Sequence, residues 1–301
     1  MNYRHGYHAG NFADVLKHTA LCELLRLLTA KDKKLFVLDT HAGAGGYALD
    51  EGPARRTGEA DAGIARLVAS PRAGMPSAVA RYLAAVAAYD RKFGPAGHAL
   101  RRYPGSPRLV RMALRPGDRF IACELYPAEA LALKREFAGD RAVEVRQADG
   151  YKVLKALLPP PERRGLVLID PPFETQDEFE RLLRALRQGV RRFATGCYAL
   201  WYPIKDEAAA AFATELAAFK PLTLELRLPA AEPGKLAACA LAVINPPWRF
   251  EEAMREALPW IAERLGDGVT AAVSAPPASA PAPAPSACRR RTPGKGRRRP
   301  A

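Results

Sequence analysis

The sequence is short of paired cysteines, of long apolar runs and of acidic charge, and each shortage removes a class of protein. Five cysteines (Cys22, Cys123, Cys197, Cys239 and Cys288) are scattered with no Cys-x-x-Cys pair, which argues for reduced thiols and against a disulfide framework or a structural zinc site. The longest unbroken apolar stretch, residues 236–244, is nine residues long, whereas a helix crossing a bilayer needs about 20. The opening residues MNYRHGYHAG hold no apolar signal core. No membrane partner is expected, and the chain is expected to stay in the cytoplasm. Acidic residues number 32 against 46 Lys and Arg, a formal net charge of +14 over 301 residues.

That excess is localised. Residues 276–301 carry seven basic and no acidic side chains, residues 48–117 carry twelve basic and five acidic ones, and the remainder is neutral. A neutral body with two basic segments points to a polyanionic partner, of which a phosphate backbone is the commonest. Arg101, Arg102, Arg108 and Arg111 are the candidate phosphate contacts in the segment 48–117. The C-terminal segment is Pro/Ala-rich and then Arg-rich, has little to bury, and is expected to form a disordered basic tail over 274–301.

Upstream, short β-rich runs at 34–40, 119–126, 142–149, 165–172, 197–203, 222–229 and 240–247 alternate with segments of helical apolar spacing at 127–139, 149–159, 177–193, 206–219 and 250–266. This predicts an α/β fold, a seven-stranded and mostly parallel sheet with helices on both faces. The loop between the last two runs is too short for a crossover helix, so these runs form one antiparallel hairpin at the sheet edge. About 78 residues separate the first two runs, where a crossover needs only a dozen or so. A small helical insert over 48–105, with helices at 57–70 and 76–93, is expected there, leaving 1–47 and 106–270 as the main domain. Ahead of the first strand, Asn11 is a candidate N-cap for a further helix.

The polar residues at the strand ends carry the chemistry. The first run leads into DTHAGAGGY (39–47), whose glycines let the chain turn sharply and bring N–H groups close to a ligand. The second run ends at Glu124, where an acid can accept both ribose hydroxyls of a nucleoside cofactor, the third at Asp149-Gly150, and the fourth at Asp170-Pro171-Pro172-Phe173. This tetrapeptide resembles the (D/N/S)PP(Y/F/W) motif of methyltransferases that modify exocyclic amino nitrogens. The lone pair of such a nitrogen is delocalised into its ring. Acceptors at the Asp170 carboxylate and the Pro171 carbonyl would hold both amine hydrogens and stabilise charge developing on nitrogen, while Phe173 would stack on a flipped base. A second copy, Asn245-Pro246-Pro247-Trp248, ends the hairpin strand near the expected edge; it is read as non-catalytic, with Trp248 a packing residue. Four of the five histidines lie in the first 41 residues, but no cysteine and few carboxylates accompany them, so no metal is expected. His41, within the glycine-rich loop, is better placed against a cofactor. The segment from Tyr3 through Lys17 and His18 mixes aromatic, basic and imidazole groups, as an RNA-facing surface does.

The strings YRHGYHAGNFADVLKH, LDTHAGAGGY, RTGE, YPGSP, RRGLVLIDPPFE and RFATGCYALWYP occur in collinear order over about residues 1–266. Together they resemble the RlmJ family of bacterial rRNA adenine-N6 methyltransferases. The resemblance implies a Rossmann-like S-adenosylmethionine-dependent methyltransferase fold with a small helical insert, methylating one adenine of 23S rRNA that is free of most ribosomal proteins. It places the catalytic acid at Asp170, cofactor contacts at His18, His41, Ser106, Glu124, Asp149 and Gly150, and substrate contacts at Tyr3 and Lys17. The family tetrapeptide usually ends in Tyr where this chain has Phe173, and the basic tail is not part of the family pattern. Two other readings stay open: a DNA adenine-N6 or cytosine-N4 methyltransferase, separated by activity on rRNA fragments against duplex DNA, and a nonenzymatic RNA-binding module, separated by calorimetry of cofactor binding.

Overall fold

The computed structural model describes residues 5–94, 99–229 and 235–275. Along the chain, α1 (Phe12–Thr29) leads to β1 (Phe36–Asp39) and then to a two-stranded antiparallel ribbon, β2 (Gly46–Ala48) and β3 (Arg102–Pro104). Between the ribbon strands lie α2 (Gly52–Thr57), α3 (Glu59–Ala62), α4 (Ile64–Ala69) and α5 (Ser77–Asp90). Next come α6 (Ser106–Ala113), β4 (Arg119–Glu124), α7 (Pro127–Glu136), β5 (Val143–Gln147), α8 (Gly150–Leu157) and β6 (Gly165–Ile169). The chain continues through α9 (Glu178–Arg192), β7 (Cys197–Pro203), α10 (Glu207–Leu216), β8 (Leu222–Arg227), β9 (Ala238–Ile244), α11 (Phe250–Leu265) and β10 (Thr270–Ser274).

The main sheet has the order β10-β8-β9-β7-β6-β1-β4-β5. Strands β7, β6, β1, β4 and β5 are parallel, while β9 runs against both β7 and β8, and β10 runs against β8. Because side chains alternate across a strand, Val37 and Phe120 enter a core shared with α1, α5 and α11, and Phe36, Leu38 and Ile121 enter a second core shared with α8, α9 and α10. Both faces of the sheet are therefore covered, which is why the central runs read as continuous apolar segments rather than alternating ones.

Two expectations about the sheet are corrected. It has eight strands rather than seven: β10 is five residues of Thr, Ala, Val and Ser with alternate positions exposed, too short and too weakly apolar to stand out in sequence. It also makes residue 274 the end of a strand, and the tail expected beyond it lies outside the described residues from 276 onward. The hairpin β8–β9 is not the edge, since β9 is inserted between β7 and β8 and β10 closes the outer side. Trp248, expected to pack, is 85% exposed. Its turn follows an antiparallel strand and so emerges at the pole opposite the carboxyl ends of the parallel strands, held there by Asn245 Nδ2, which donates to the carbonyls of Ala194 (2.7 Å) and Gly196 (2.8 Å).

Helix α1 begins where Asn11 caps it, its side-chain oxygen accepting from the Asp14 N–H at 3.0 Å. The Ile64 N–H donates to the Gly10 carbonyl at 2.8 Å, and a Cβ on Gly63 would stand 2.1 Å from that same oxygen. This close approach requires glycine and splits the single helix expected over 57–70 into α3 and α4. Further along α1, buried Glu23 accepts from Arg26 Nη2 (2.6 Å) and from Arg81 Nη2 (2.5 Å) and Nε (3.0 Å), tying α1 to α5. Glu23→Ala leaves two guanidinium groups without their carboxylate. Since both arginines are partly solvated, the expected loss is about 2 kcal/mol in urea unfolding, with an unchanged melt refuting the clamp.

Candidate active site

The chain leaves β1 for β4 and β5 on one side and returns to place β6 and β7 on the other, so the sheet reverses its winding between β1 and β6. Ligands of open α/β sheets bind at the carboxyl ends beside such a point. The loop after β1 turns through Gly43 (φ +61°) and Gly45 (φ +86°), left-handed conformations that favour glycine. The Gly43 N–H donates to Glu124 Oε2 (2.8 Å) at the end of β4, whose Oε1 accepts from the Tyr126 N–H (2.7 Å). Asp149 caps α8 by accepting from the Tyr151 N–H at 3.0 Å. A Cβ on Gly150 would lie 2.1 Å from the Thr40 carbonyl, so α8 starts directly against the end of β1.

These elements surround a cavity lined by His18, His41, Ser106, Glu124, Asp149, Gly150 and Asp170, among others. All six residues expected at the cofactor, together with the expected catalytic acid, thus share one cavity. A second and larger cavity is lined by Lys17, Phe173, Trp201 and Lys205, among others, and Pro172 lines both. Asp170 stands at the junction. Lys17 Nζ is 2.5 Å from Asp170 Oδ2 and 3.1 Å from Asp14 Oδ1, a reach from α1 that joins the two cavities. Pro171 is buried. Phe173 has φ +50°, strained for a residue with a side chain, and is wedged at 4.7 Å from the ring of Phe179 and 5.8 Å from that of Trp201. Tyr3 lies outside the described residues.

Several contacts at the site, and the residues Tyr151 and Glu178, carried no sequence signal. Ser106 Oγ donates to Asp39 Oδ2 at 2.7 Å across 67 positions of sequence. Tyr151 donates to Glu178 at 2.8 Å and packs edge-on to His41. The Thr40 hydroxyl donates to the Leu168 carbonyl at 2.9 Å; His41 Nδ1, 2.8 Å from the same hydroxyl oxygen, is then the donor, and Nε2 is left as an acceptor. Burial lowers the His41 pKa to about 4, so the ring is neutral near pH 7. The arginines offered as phosphate contacts are engaged within the fold: Arg101 with the Phe93 carbonyl, Arg102 with Asp50 and Glu51, Arg108 with Glu136, and Arg111 with Asp140. Among the described residues no group of three His, Cys, Asp or Glu could hold a metal ion, and no helix is long and apolar enough to cross a membrane.

A family model described as Ribosomal RNA large subunit methyltransferase D, RlmJ, matches residues 32–274. The chain belongs to the RlmJ family. It is 42% identical over 272 residues to Ribosomal RNA large subunit methyltransferase J of Escherichia coli strain K12, covering 88% of this chain and 94% of that one. The protein of the same description from Haemophilus influenzae is 40% identical over 271 residues, with the same coverage. A crystal structure of a protein from Legionella pneumophila superposes with a TM-score of 0.82 at 33% identity, covering 90% of this chain and 99% of that one. The eight-stranded sheet is thus a Rossmann-like methyltransferase fold.

In this RlmJ-family chain, Asp39, at the end of β1 where the glycine-rich loop begins, is fully buried. Burial pushes its pKa up to about 7; the Ser106 hydroxyl opposes the rise, and Asp170 and Glu124 add to it. A group that binds its proton more tightly when folded contributes most stability below its unfolded pKa, near 4, and loses that contribution as pH climbs through about 7. Asp39→Asn cannot titrate. Relative to the parent, its melting temperature is expected to rise progressively between about pH 4 and about pH 7, and a pH-independent difference in thermal melts would remove Asp39 as the titrating group.

Proposed function

We propose that the chain is a cytoplasmic S-adenosylmethionine-dependent methyltransferase that modifies N6 of one adenine in 23S rRNA. The observation that carries this reading is the position of Asp170-Pro171-Pro172-Phe173 between two cavities, one suited to a nucleoside cofactor and the other walled by aromatic and cationic side chains. The first cavity fits the cofactor by its donor set. Two of the roughly four lone-pair positions of Glu124 are taken by backbone N–H groups, leaving two to accept ribose hydroxyls. Asp149, Gly150 and the Gly43 turn add to the polar lining, and S-adenosylmethionine bound there would supply an activated methyl group.

The chain's own residues then act on the amine. Lys17 engages Asp170 Oδ2 and so orients the carboxylate, with Oδ1 directed to accept from one amine hydrogen. The Pro171 carbonyl takes the other. Holding both hydrogens favours the pyramidal nitrogen needed for attack, and the negative carboxylate stabilises positive charge as it develops. Phe173, already fixed by Phe179 and Trp201, offers its ring to the base, and Lys17 and Lys205 bring positive charge to the cavity that would take the nucleotide. The RNA is read as one free of most ribosomal proteins, as the family resemblance implies.

The deciding assay incubates the full chain with methyl-labelled cofactor and protein-free 23S rRNA, assembled subunits or duplex DNA, followed by nucleoside analysis. N6-methyladenosine from the free RNA is expected, and label only in DNA would overturn the reading. Asp170→Ala is expected to lower turnover by about 10³-fold or more while cofactor affinity stays within a few-fold; full activity would end the role of the acid. Glu124→Ala should weaken cofactor binding by tens-fold, since each charge-assisted hydrogen bond contributes about 1.5–3 kcal/mol; unchanged calorimetric affinity would remove Glu124 from the ribose.

A further inference from the structure

The turn Asn245-Pro246-Pro247-Trp248 takes no part in the active site, yet it displays the most exposed indole of the fold: Trp248 is 85% exposed, whereas Trp201 is half-buried and Trp260 buried. The turn is stiff. Its two prolines lie between Asn245 (φ +52°) and Arg249 (φ +69°), and Asn245 ties it to the loop after α9. Arg249 holds its guanidinium 5.5 Å from the centre of the indole and is itself fixed by Glu252 at 3.0 Å. A large apolar ring shown to water on a rigid turn contributes little burial to the fold, so its surroundings decide what it meets.

Those surroundings are basic. The registers Phe36↔Gly165, Leu166↔Cys197, Tyr198↔Ile244 and Leu222↔Val243 set the starts of β1, β6, β7 and β8 level with the end of β9, and neighbouring strands are about 4.8 Å apart. The loops entering these strands therefore lie side by side at the pole of Trp248. At or beside them stand Lys31, Lys33, Lys34, Arg163, Arg191 and Lys220, all exposed and none in an ion pair among the described residues. Acids at this pole are few: Asp118 pairs with Arg115, Glu162 with Arg119 and Glu252 with Arg249, which leaves Asp32 against the six cations. Helix carboxyl ends also lie here and attract cations, but other residues serve them. Arg164 donates to the Leu28 carbonyl, Arg115 to that of Thr29 and Arg192 to that of Leu158. Strand β10 ends at the same pole, since Ser274 pairs with Thr223, so the seven basic side chains of 276–301 join the chain there.

Charge complementarity selects the occupant. A second copy in a two-fold contact would set this basic face against itself, and the segment 276–301 carries the same sign. A polyanion with planar groups answers both features, its phosphates meeting the cations and a base meeting the indole. Bases are open to stacking where a strand is unpaired. Of the five non-glycine residues with left-handed φ among the described residues, four (Arg163, Lys220, Asn245 and Arg249) lie at this pole, and such conformations gather at ligand-binding sites. We infer that the pole opposite the active site is a second RNA-contact surface, where Trp248 stacks on a base of a single-stranded segment and the six exposed cations take its phosphates. The surface adds affinity and orientation, and no chemistry. It rests on the reading of RNA as the substrate, but binding there can be measured without methylation.

The probe is a short single-stranded oligouridylate, which offers no adenine to the active site. Titrated into the full chain, it is expected to quench the emission of the exposed tryptophan. Trp248→Leu is expected to lose that quench and to bind the probe about tenfold more weakly. The triple variant Lys33→Ala, Lys34→Ala, Arg163→Ala is expected to flatten the slope of log affinity against log salt by about 2. Affinity for S-adenosylhomocysteine is expected to stay at the parent value in both variants, and methylation of 23S rRNA to show a raised KM at unchanged kcat. Parent-like affinity for oligouridylate in both variants would overturn the surface even if 23S rRNA is methylated. A loss confined to the triple variant would overturn stacking on Trp248, and the triple variant decides the surface should Trp248→Leu fail to fold. A dimer in sedimentation that Trp248→Leu dissociates, with affinity for the probe intact, would make the pole a contact between copies and overturn the proposal. Trp248-dependent binding of the probe by a chain that methylates no RNA would overturn the proposed activity and leave the surface standing.

Discussion

From residue 11 to residue 21 every position of α1 and its cap is buried, although this stretch contains Asn11, Asp14, Lys17, His18 and Thr19. Buried polar groups need partners, and here most partners come from elsewhere in the fold. Asp14 takes the Gly10 N–H and Lys17, Lys17 takes Asp170 at the end of β6, His18 takes Tyr103 on β3, and Glu23, a turn further on, takes Arg81 on α5. The helix therefore meets the sheet, the ribbon and the helices between the ribbon strands at once. A displacement that separates Lys17 from Asp170 also strains the other ties, which keeps the acid in register with the cavity on each side of it.

The regular elements were largely legible because their causes are local. The runs at 119–126 and 197–203 are strands since both faces of a central sheet are apolar, and Asn11 caps α1 as its type suggests. The strand-end residues were legible for a related reason: a polar or glycine residue closing an apolar run has few uses other than turning the chain or meeting a ligand. What stayed hidden depends on pairings between distant segments. Asp39 and Ser106 meet only once α6 packs over β1, and nothing near either one announces the other. Tyr82 falls in a helical apolar stripe and reads as core, which it is, yet its hydroxyl is also part of a polar chain that periodicity does not register. Arg102, Arg108 and Arg111 read as free charge, but acids from α7 and from the loops following β2 and α7 reach them in space.

The burial of the polar layer has a cost in backbone freedom. Gly63 and Gly150 each sit where a single added carbon would strike a carbonyl, and Phe173 adopts a left-handed conformation that its aromatic neighbours hold in place. All three lie where two elements that cap or line the cavities are pressed together. Strain at Phe173 is compatible with a ring that must face the cavity rather than follow the path its backbone would otherwise favour.

The two Pro-Pro turns show how little a tetrapeptide means without an orientation. Asp170-Pro171-Pro172-Phe173 and Asn245-Pro246-Pro247-Trp248 share a pattern, and both follow strands of one sheet. One strand ascends and the other descends, so the turns emerge about one strand length apart at opposite poles, one between two cavities and the other displaying an indole to water. The property that separates them is vectorial and belongs to neither turn. It is settled by the ladder of main-chain hydrogen bonds between β7 and β9, in which no side chain of either motif takes part.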